Sequence, residues 1–104
     1  MSERLSIDAK LRQVDGVSKL YYQPPESIKI TYPCIIYQLN NIDITHANNA
    51  TYRIKDNYIV TIIDKNPDSK IPENLMKVFP TLCTFNRFYV SDNLNHWVFN
   101  LYLY

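Results

Sequence analysis

Glycine is almost missing from this sequence, whose 104 residues contain only Gly16, and neither sign of charge is in excess, with 11 basic and 10 acidic residues. Loops that bind nucleotide phosphates need several glycines, because the backbone must approach the phosphate closely. The glycine count therefore excludes the P-loop and the dinucleotide-binding fingerprint. The net charge of +1 provides no strong field for a polyanion, which disfavours a dedicated nucleic-acid binder.

Cysteine is also scarce, since Cys34 and Cys83 lie far apart, each in an apolar segment and without Cys-x-x-Cys spacing. That spacing is typical of zinc and redox sites. We therefore expect two buried free thiols. A disulfide would require that their strands be neighbours, and a reducing compartment would keep it open.

No apolar run approaches the roughly 20 residues that a membrane helix needs, and Met1–Leu5 lacks the basic and then apolar pattern of a secretory signal. We expect a protein made and kept in the cytoplasm, without a membrane partner. With 46% hydrophobic and 20% charged residues, the chain should fold as one domain, residues 1–104, around a modest core.

Tyrosine, in contrast, is abundant, with nine residues. Its large amphipathic side chain is enriched at protein interfaces, and it also favours strands in any β-rich domain. The composition is therefore compatible with an assembling protein and with an ordinary sheet.

Helical spacing of apolar residues appears twice. Over Glu3–Val14 it predicts a short amphipathic helix that ends at Gly16. From Ile71 to Phe79 it predicts a second helix, in which Pro72 is tolerable because it falls in the first turn, and which Pro80 ends.

Extended segments rich in β-branched and aromatic residues occur five times. They are Val17–Gln23, the segment Cys34–Leu39 after Pro33, Ile54–Asp64, Cys83–Val90 and Trp97–Tyr104. Ser91–His96 reads as a turn-rich connection between the last two, and Trp97, Phe99, Leu101 and Leu103 should face the core. The order predicts an α+β fold: a small single domain with a mostly antiparallel β-sheet flanked by two short helices on one face.

The polar clusters of the sequence have structural roles as alternatives to catalytic ones. Pro67-Asp68 could begin a nuclease signature, but no later acidic residue two positions before a lysine completes it. Asp64, Asp68 and Ser69 are more typical of a turn whose side chains bind local backbone donors. Nucleophilic catalysis has no local signature either.

Two carboxylate and imidazole pairs, Asp92 with His96 and Asp43 with His46, have spacings that a metal site could use. Without clustered cysteine ligands, two histidines on separate polar turns are more often surface residues. We therefore predict no catalytic, cofactor-binding or metal site, and no cofactor.

Four phrases of the sequence resemble a known family: Tyr32–Tyr37, Ile63–Pro72, Phe85–Val90 and Ser91–Phe99. They are similar to the tail terminator and head-tail joining (neck) proteins of long-tailed bacteriophages. The resemblance runs from about Leu11 to the end of the chain. It rests on turns and strands that determine the fold, and related neck proteins share that architecture without sharing one role.

The resemblance implies a non-enzymatic structural protein of the virion, present in the host cytoplasm during assembly. Its subunits would form a homohexameric ring that caps the tail tube, ends tube polymerisation and offers the head a docking surface. The implied partners are further copies of the chain, the tail tube protein and a head-tail connector or stopper protein, while DNA passes through the lumen without sequence-specific contact. The alternatives are a connector, stopper or tail completion protein and, more remotely, a small host binding module or accessory enzyme.

A ring needs contact surfaces, and the polar segment Asn40–Arg53 is the first candidate. We expect it to be a long hairpin loop whose flanks extend the neighbouring strands. The turns Asp64–Ser69 and Asp92–His96 are secondary candidates. Each residue has the alternative of being merely solvated. The candidate interface residues are Asn40, Asn41, Asp43, His46, Asn48, Asn49, Tyr52, Arg53, Asp64, Asp68, Asp92, Asn95 and His96.

Overall fold

Two helices and five strands form along the part of the chain that the structure, a computed structural model, describes: residues 3–25, 27–46, 52–81 and 83–103. In chain order they are α1 (Glu3–Leu11), β1 (Lys19–Tyr22), β2 (Cys34–His46), β3 (Tyr52–Asp64), α2 (Ile71–Val78), β4 (Cys83–Ser91) and β5 (Leu94–Leu103).

The strands form one sheet in the order β1-β2-β3-β5-β4. β1 is parallel to β2, and every other neighbouring pair is antiparallel. The predicted α+β fold with a mostly antiparallel sheet is confirmed. None of the helices in the described residues is long and apolar enough to cross a membrane.

One face of the sheet and both helices enclose the core. Leu11 of α1 and Leu75 of α2 are fully buried against strand residues such as Tyr37, Val60 and Phe99. The remaining members of the buried cluster are Ile7, Val14, Ile35, Tyr58, Ile62, Ile71, Phe79 and Leu101. Burial of these side chains is the dominant stabilising term, on the order of 1.5–3 kcal/mol for each large aliphatic residue.

The first helix ends at Leu11, three residues before Val14, the last residue of the predicted apolar pattern. A tighter turn follows the helix, in which the N–H groups of Gln13 and Val14 donate to carbonyls three residues earlier, at 3.0 and 3.1 Å. Val14 is still buried, so the predicted apolar face continues past the helix. Gly16 follows with a φ of +93°, a left-handed conformation that favours glycine.

The second predicted helix is confirmed at Ile71–Val78, with a proline in its first turn. In β5, Phe99 and Leu101 are buried and Trp97 packs on the core, as predicted. The side chain of Leu103, and Tyr104, lie outside the described residues. Val98 on the opposite face is also buried, which the alternating pattern did not indicate.

The flanks of the predicted hairpin segment Asn40–Arg53 extend the neighbouring strands, as expected. β2 continues to His46, β3 begins at Tyr52, and their backbones pair along this stretch except for a register shift at Asn40. Residues 47–51 lie outside the described part of the chain. The polar composition of the segment suits a ribbon that extends beyond the packed sheet.

The predicted connection Ser91–His96 shortens to Asp92-Asn93, since Ser91 already pairs with Leu94. The φ angles of +53° and +63° at Asp92 and Asn93 are those of a type I′ turn, which matches the twist of paired strands. The polar residues that follow the turn, Asn95 and His96, belong to β5.

Both cysteines are free thiols, with Cys34 buried and Cys83 half-buried. Their strands, β2 and β4, are separated in the sheet by β3 and β5. Burial raises the pKa of each thiol from 9.0 to about 11, and the Asp64 carboxylate adds to the effect on Cys34.

Candidate functional site

The last strand in the sheet order, β4, is exposed along nearly its whole length. Phe85, Phe88 and Val90 are 56%, 46% and 60% exposed, and we call these three residues the β4 surface. The Phe85 ring lies 5.4 Å from Phe99, and the Phe88 ring lies 5.3 Å from Trp97. The β4 surface is therefore on the same side of the sheet as the helices, beyond the strands whose residues the helices bury.

A β-bulge places these aromatic residues together. The register passes from Phe85 opposite Phe99 to Arg87 opposite Val98, so that Asn86 is the extra residue. In a regular strand, residues 85 and 88 would point to opposite faces. Because of the bulge, both phenyl rings lie on one face, and apolar surface accumulates at the edge of the sheet.

The face of the β4–β5 hairpin opposite the β4 surface carries stacked side chains with polar groups. The imidazole of His96 lies parallel to the ring of Tyr89, with centroids 4.5 Å apart and an angle of 9° between planes. The Arg87 guanidinium lies 5.2 Å from the centre of the Tyr89 ring. His96 Nδ1 is 3.1 Å from the carbonyl of Leu94. The stacked groups give this face of the hairpin a defined shape.

The predicted turn beginning at Asp64 lies at the same end of the sheet as the hairpin turn between β4 and β5. The Asp64 carboxylate accepts a hydrogen bond from the N–H of Asn66 at 3.1 Å, and Ser69 Oγ accepts one from Ile71 at 3.2 Å. The predicted local role is confirmed for these two side chains. Asp68 takes part through its own N–H, which donates to Asn66 Oδ1 at 3.0 Å.

Asn95 joins this turn to the β4–β5 hairpin. Its side chain is buried, and its Nδ2 donates to the carbonyls of Asp64 and Lys65 at 3.1 and 3.3 Å. Four sequence-predicted residues, Asp64, Asp68, Asn95 and His96, are thereby brought to one end of the sheet, and Asp92 lies in the adjacent hairpin turn. Because its side chain is buried, Asn95 contributes to this end of the sheet by positioning the turn.

The other end of the sheet is a two-stranded ribbon formed by residues 40–46 of β2 and 52–56 of β3, which we call the β2/β3 ribbon. The pairing of β5 with β3 reaches only Asp56, so within the described residues the two strands pair only with each other beyond that position. Ile42 on the ribbon and Leu39 at its base are 49% and 38% exposed. At the base, Asn57 Oδ1 is buried and has no hydrogen-bond partner among the described residues.

Most remaining predicted interface residues fall on this ribbon. Asn40 and Asn41 are exposed. For Asp43, His46, Tyr52 and Arg53 the backbone is in the ribbon, and their side chains lie outside the described part. Asn48 and Asn49 lie outside the described residues altogether.

The candidate residues that the structure describes therefore form two groups at opposite ends of one sheet, in a molecule 52 Å long. Sequence reasoning missed the β4 surface, because it treated Phe85 and Phe88 as ordinary strand residues. A signal was available in Arg87, since a charged residue in the middle of an apolar strand is typical of a sheet edge. Among the described residues, no group of three or more possible metal ligands comes together.

The geometry defines a small α+β domain with exposed apolar surface at a sheet edge and on a projecting ribbon. No protein-family model matches the chain, and no curated protein matches it. Among solved structures, it is similar to a chain of the virion of a native gene transfer agent (GTA) particle, with 16% identity and a TM-score of 0.43. The match covers 96% of this chain and 88% of that chain.

Proposed function

We propose that this protein is a structural subunit of a phage virion and acts as the tail terminator. In this role, its copies form a homohexameric ring at the head-tail junction, where the ring caps the tail tube and ends its polymerisation. The ring also provides the surface on which the head docks, through a connector or stopper protein. The proposal rests on the sequence resemblance to neck proteins and on one structural observation, the two different ends of the sheet.

The difference between the two ends supports the proposed terminator role. A tube subunit must repeat the same axial contact indefinitely, whereas a terminator must match the tube on one side and something else on the other. Here one end is a compact pair of turns held together by Asn95, and the other is the β2/β3 ribbon. Two of the family-like phrases, Ile63–Pro72 and Ser91–Phe99, meet at the compact end.

The lumen of such a ring has to let DNA pass without binding it tightly. A net charge of +1 per chain suits that task, because a strongly basic lumen would bind the phosphate backbone and retard the DNA. The proposed role is assembly and not catalysis. The tail tube protein, the connector or stopper protein and further copies of the chain are its proposed partners.

Deletion of the gene from its phage tests the role directly. We expect overlong tail tubes without heads, measured by electron microscopy, and restoration of normal length when the wild-type gene is supplied in trans. Tails of normal length beside filled, unattached heads would overturn the terminator role and indicate a connector, stopper or completion protein.

Purified components provide the second test. Tail tube protein that polymerises with this protein present should stop at shorter lengths, and light scattering should detect a ring of about six subunits, free or on the tube. A persistent monomer that leaves tube length unchanged would contradict the proposal.

A further inference from the structure

We propose that the β2/β3 ribbon of one copy packs along the β4 surface of the next copy, in a head-to-tail contact. The inference rests on the proposed function, because it names the contact that builds the ring. Its occupant is a second copy of this chain, and both contacting surfaces are present on every copy.

The described part of the chain leaves the β4 surface about half exposed. The two helices bury residues of β2, β3 and β5, and none of the buried core residues belongs to β4. Long, apolar edge strands favour association with another chain, and proteins usually protect them with charges, prolines or bulges. β4 has one charge, Arg87, and one bulge, which gathers Phe85 and Phe88 on the same side.

The β2/β3 ribbon also requires support. A two-stranded ribbon is only marginally stable in water by itself. A bulge at Asn40 changes the register from Leu39 opposite Tyr58 to Asn41 opposite Asn57, so that Leu39 and Ile42 face the same side. Both are exposed, and the ribbon therefore offers aliphatic surface where β4 offers aromatic surface.

The two surfaces are similar in length. At about 3.3 Å per residue, the seven ribbon residues of β2 span about 23 Å and the nine residues of β4 about 30 Å. The exposed part of the β4 surface is on the order of 300 Å². A stable interface buries about 800 Å² on each partner, so three side chains alone are insufficient. A ribbon lying along β4 would also cover backbone and polar neighbours and approach that area.

Charge disfavours the simplest alternative, in which β4 pairs with β4 of a second copy across a two-fold axis. Arg87 is the middle residue of the strand Cys83–Ser91, so a centred antiparallel pair would set two guanidinium groups directly opposite each other. Like charges in that position are destabilising. A head-to-tail contact avoids this repulsion, and contacts of that type close into rings when the rotation between copies permits.

Mixing of two complementary variants tests the contact. Val90→Lys disables the β4 surface and Ile42→Lys disables the ribbon. Ile28→Lys is the matched control, since Ile28 is 42% exposed and belongs to neither surface. We expect the control to assemble like wild type in solution or on tail tubes, and each of the two variants alone to remain monomeric in light scattering.

The equimolar mixture of the Val90→Lys and Ile42→Lys variants distinguishes the proposed contact from other contacts. Each pair of variant chains retains one intact β4 surface and one intact ribbon, so a 1:1 dimer of twice 12.3 kDa should form and grow no further. Absence of that dimer, or a ribbon variant that still forms rings, would overturn the proposal. A Val90→Lys variant that assembles normally would also overturn the proposal. If thermal unfolding shows that the Val90→Lys variant is not folded, Phe85→Lys takes its place as the variant of the β4 surface.

The two proposals fail in different ways. Wild-type protein that shortens tubes while no contact between copies is detected would retain the terminator role and eliminate the ribbon contact. A 1:1 variant dimer, together with normal tail lengths in the deletion phage, would retain the contact and eliminate the terminator role.

Discussion

The hydroxyl of Tyr37 donates a hydrogen bond to the carboxylate of Asp8 at 2.6 Å and thereby joins the first part of β2 to α1. Tyr37 is fully buried, so its phenol must form hydrogen bonds within the protein, and Asp8 also accepts from Arg12 Nε at 2.8 Å. A hydrogen bond to a charged acceptor stabilises by about 1.5–3 kcal/mol. This pair holds the helix in register on the sheet.

We expect Tyr37→Phe to lower the free energy of unfolding by about 1–2 kcal/mol, because the ring still packs while the part-buried hydrogen bond to the carboxylate is lost. Arg12→Gln is the control. It breaks a salt bridge whose arginine side chain is 65% exposed, and it should cost less than about 0.5 kcal/mol. Urea unfolding of both variants measures the difference, and equal effects would contradict the assigned role of Tyr37.

Gly16 provides a prediction about the backbone. An added Cβ would lie 3.3 Å from Cγ1 of Ile71, and the φ of +93° disfavours any other residue. Gly16→Ala should therefore destabilise by about 1–3 kcal/mol, which lowers the Tm of a domain of this size by several degrees. Asn93→Gly, at a φ of +63° in the hairpin turn, should leave the Tm unchanged or raise it slightly. Calorimetry of the two variants checks the contrast.

Substitution of Asn95 should lower the stability of the protein more than substitution of its exposed neighbours in the same hairpin. Asn95→Ala removes both hydrogen bonds to the 64–65 carbonyls, and we expect a loss of about 1–3 kcal/mol. Asn95→Asp should cost more at neutral pH, because it sets a carboxylate against two carbonyl oxygens. Asp92→Asn on the exposed turn serves as the control. Chemical denaturation of the three variants gives the order, and an Asn95→Ala variant as stable as the control would refute the anchoring role.

The thiols supply a prediction about pH. A pKa of about 11 leaves roughly 100-fold less thiolate at pH 8 than an ordinary pKa of 9.0. Cys34 and Cys83 should therefore react slowly with iodoacetamide in the folded protein, with the half-buried Cys83 reacting first. Urea should restore fast reaction, and two thiols that react quickly in native protein would contradict the prediction.

The same pKa shift fixes the sign of a stability change. The unfolded chain loses its thiol protons near pH 9, whereas the folded protein retains them up to about pH 11. Stability is therefore unaffected by the thiols below pH 9 and falls as the pH rises from about 9 to 11. Substitution of both cysteines by alanine should remove this part of the alkaline loss, as measured by unfolding at pH 8 and pH 10.5.

Local signals in the chain predicted most of the elements. Apolar spacing and the proline in its first turn indicated α2, and the single glycine marked the point where the first apolar face ends. Asp64 and Ser69 were predicted to bind nearby backbone donors, and they do so. Such features depend on residues a few positions apart, and the backbone geometry they favour is the same in most surroundings.

Features that depend on distant pairing were missed or misjudged. The polar composition of Asn40–Arg53 indicated a hairpin loop with strand flanks but did not show how far the flanks pair, and backbone pairing extends β2 to His46 and begins β3 at Tyr52. The bulges at Asn40 and Asn86 have no local signature, and each decides which side chains share a face. The buried role of Asn95 also depends on a turn 30 residues earlier in the chain.

The sequence by itself determined the fold class, both helices and the placement of five strands, because amphipathic period, β propensity and turn residues act over short distances. Only the tertiary structure decided which strand lies at the edge of the sheet and which apolar residues remain exposed. Strand order depends on how the whole chain covers its core: two helices cover β2, β3 and β5, and Phe85, Phe88 and Val90 are left on the uncovered strand.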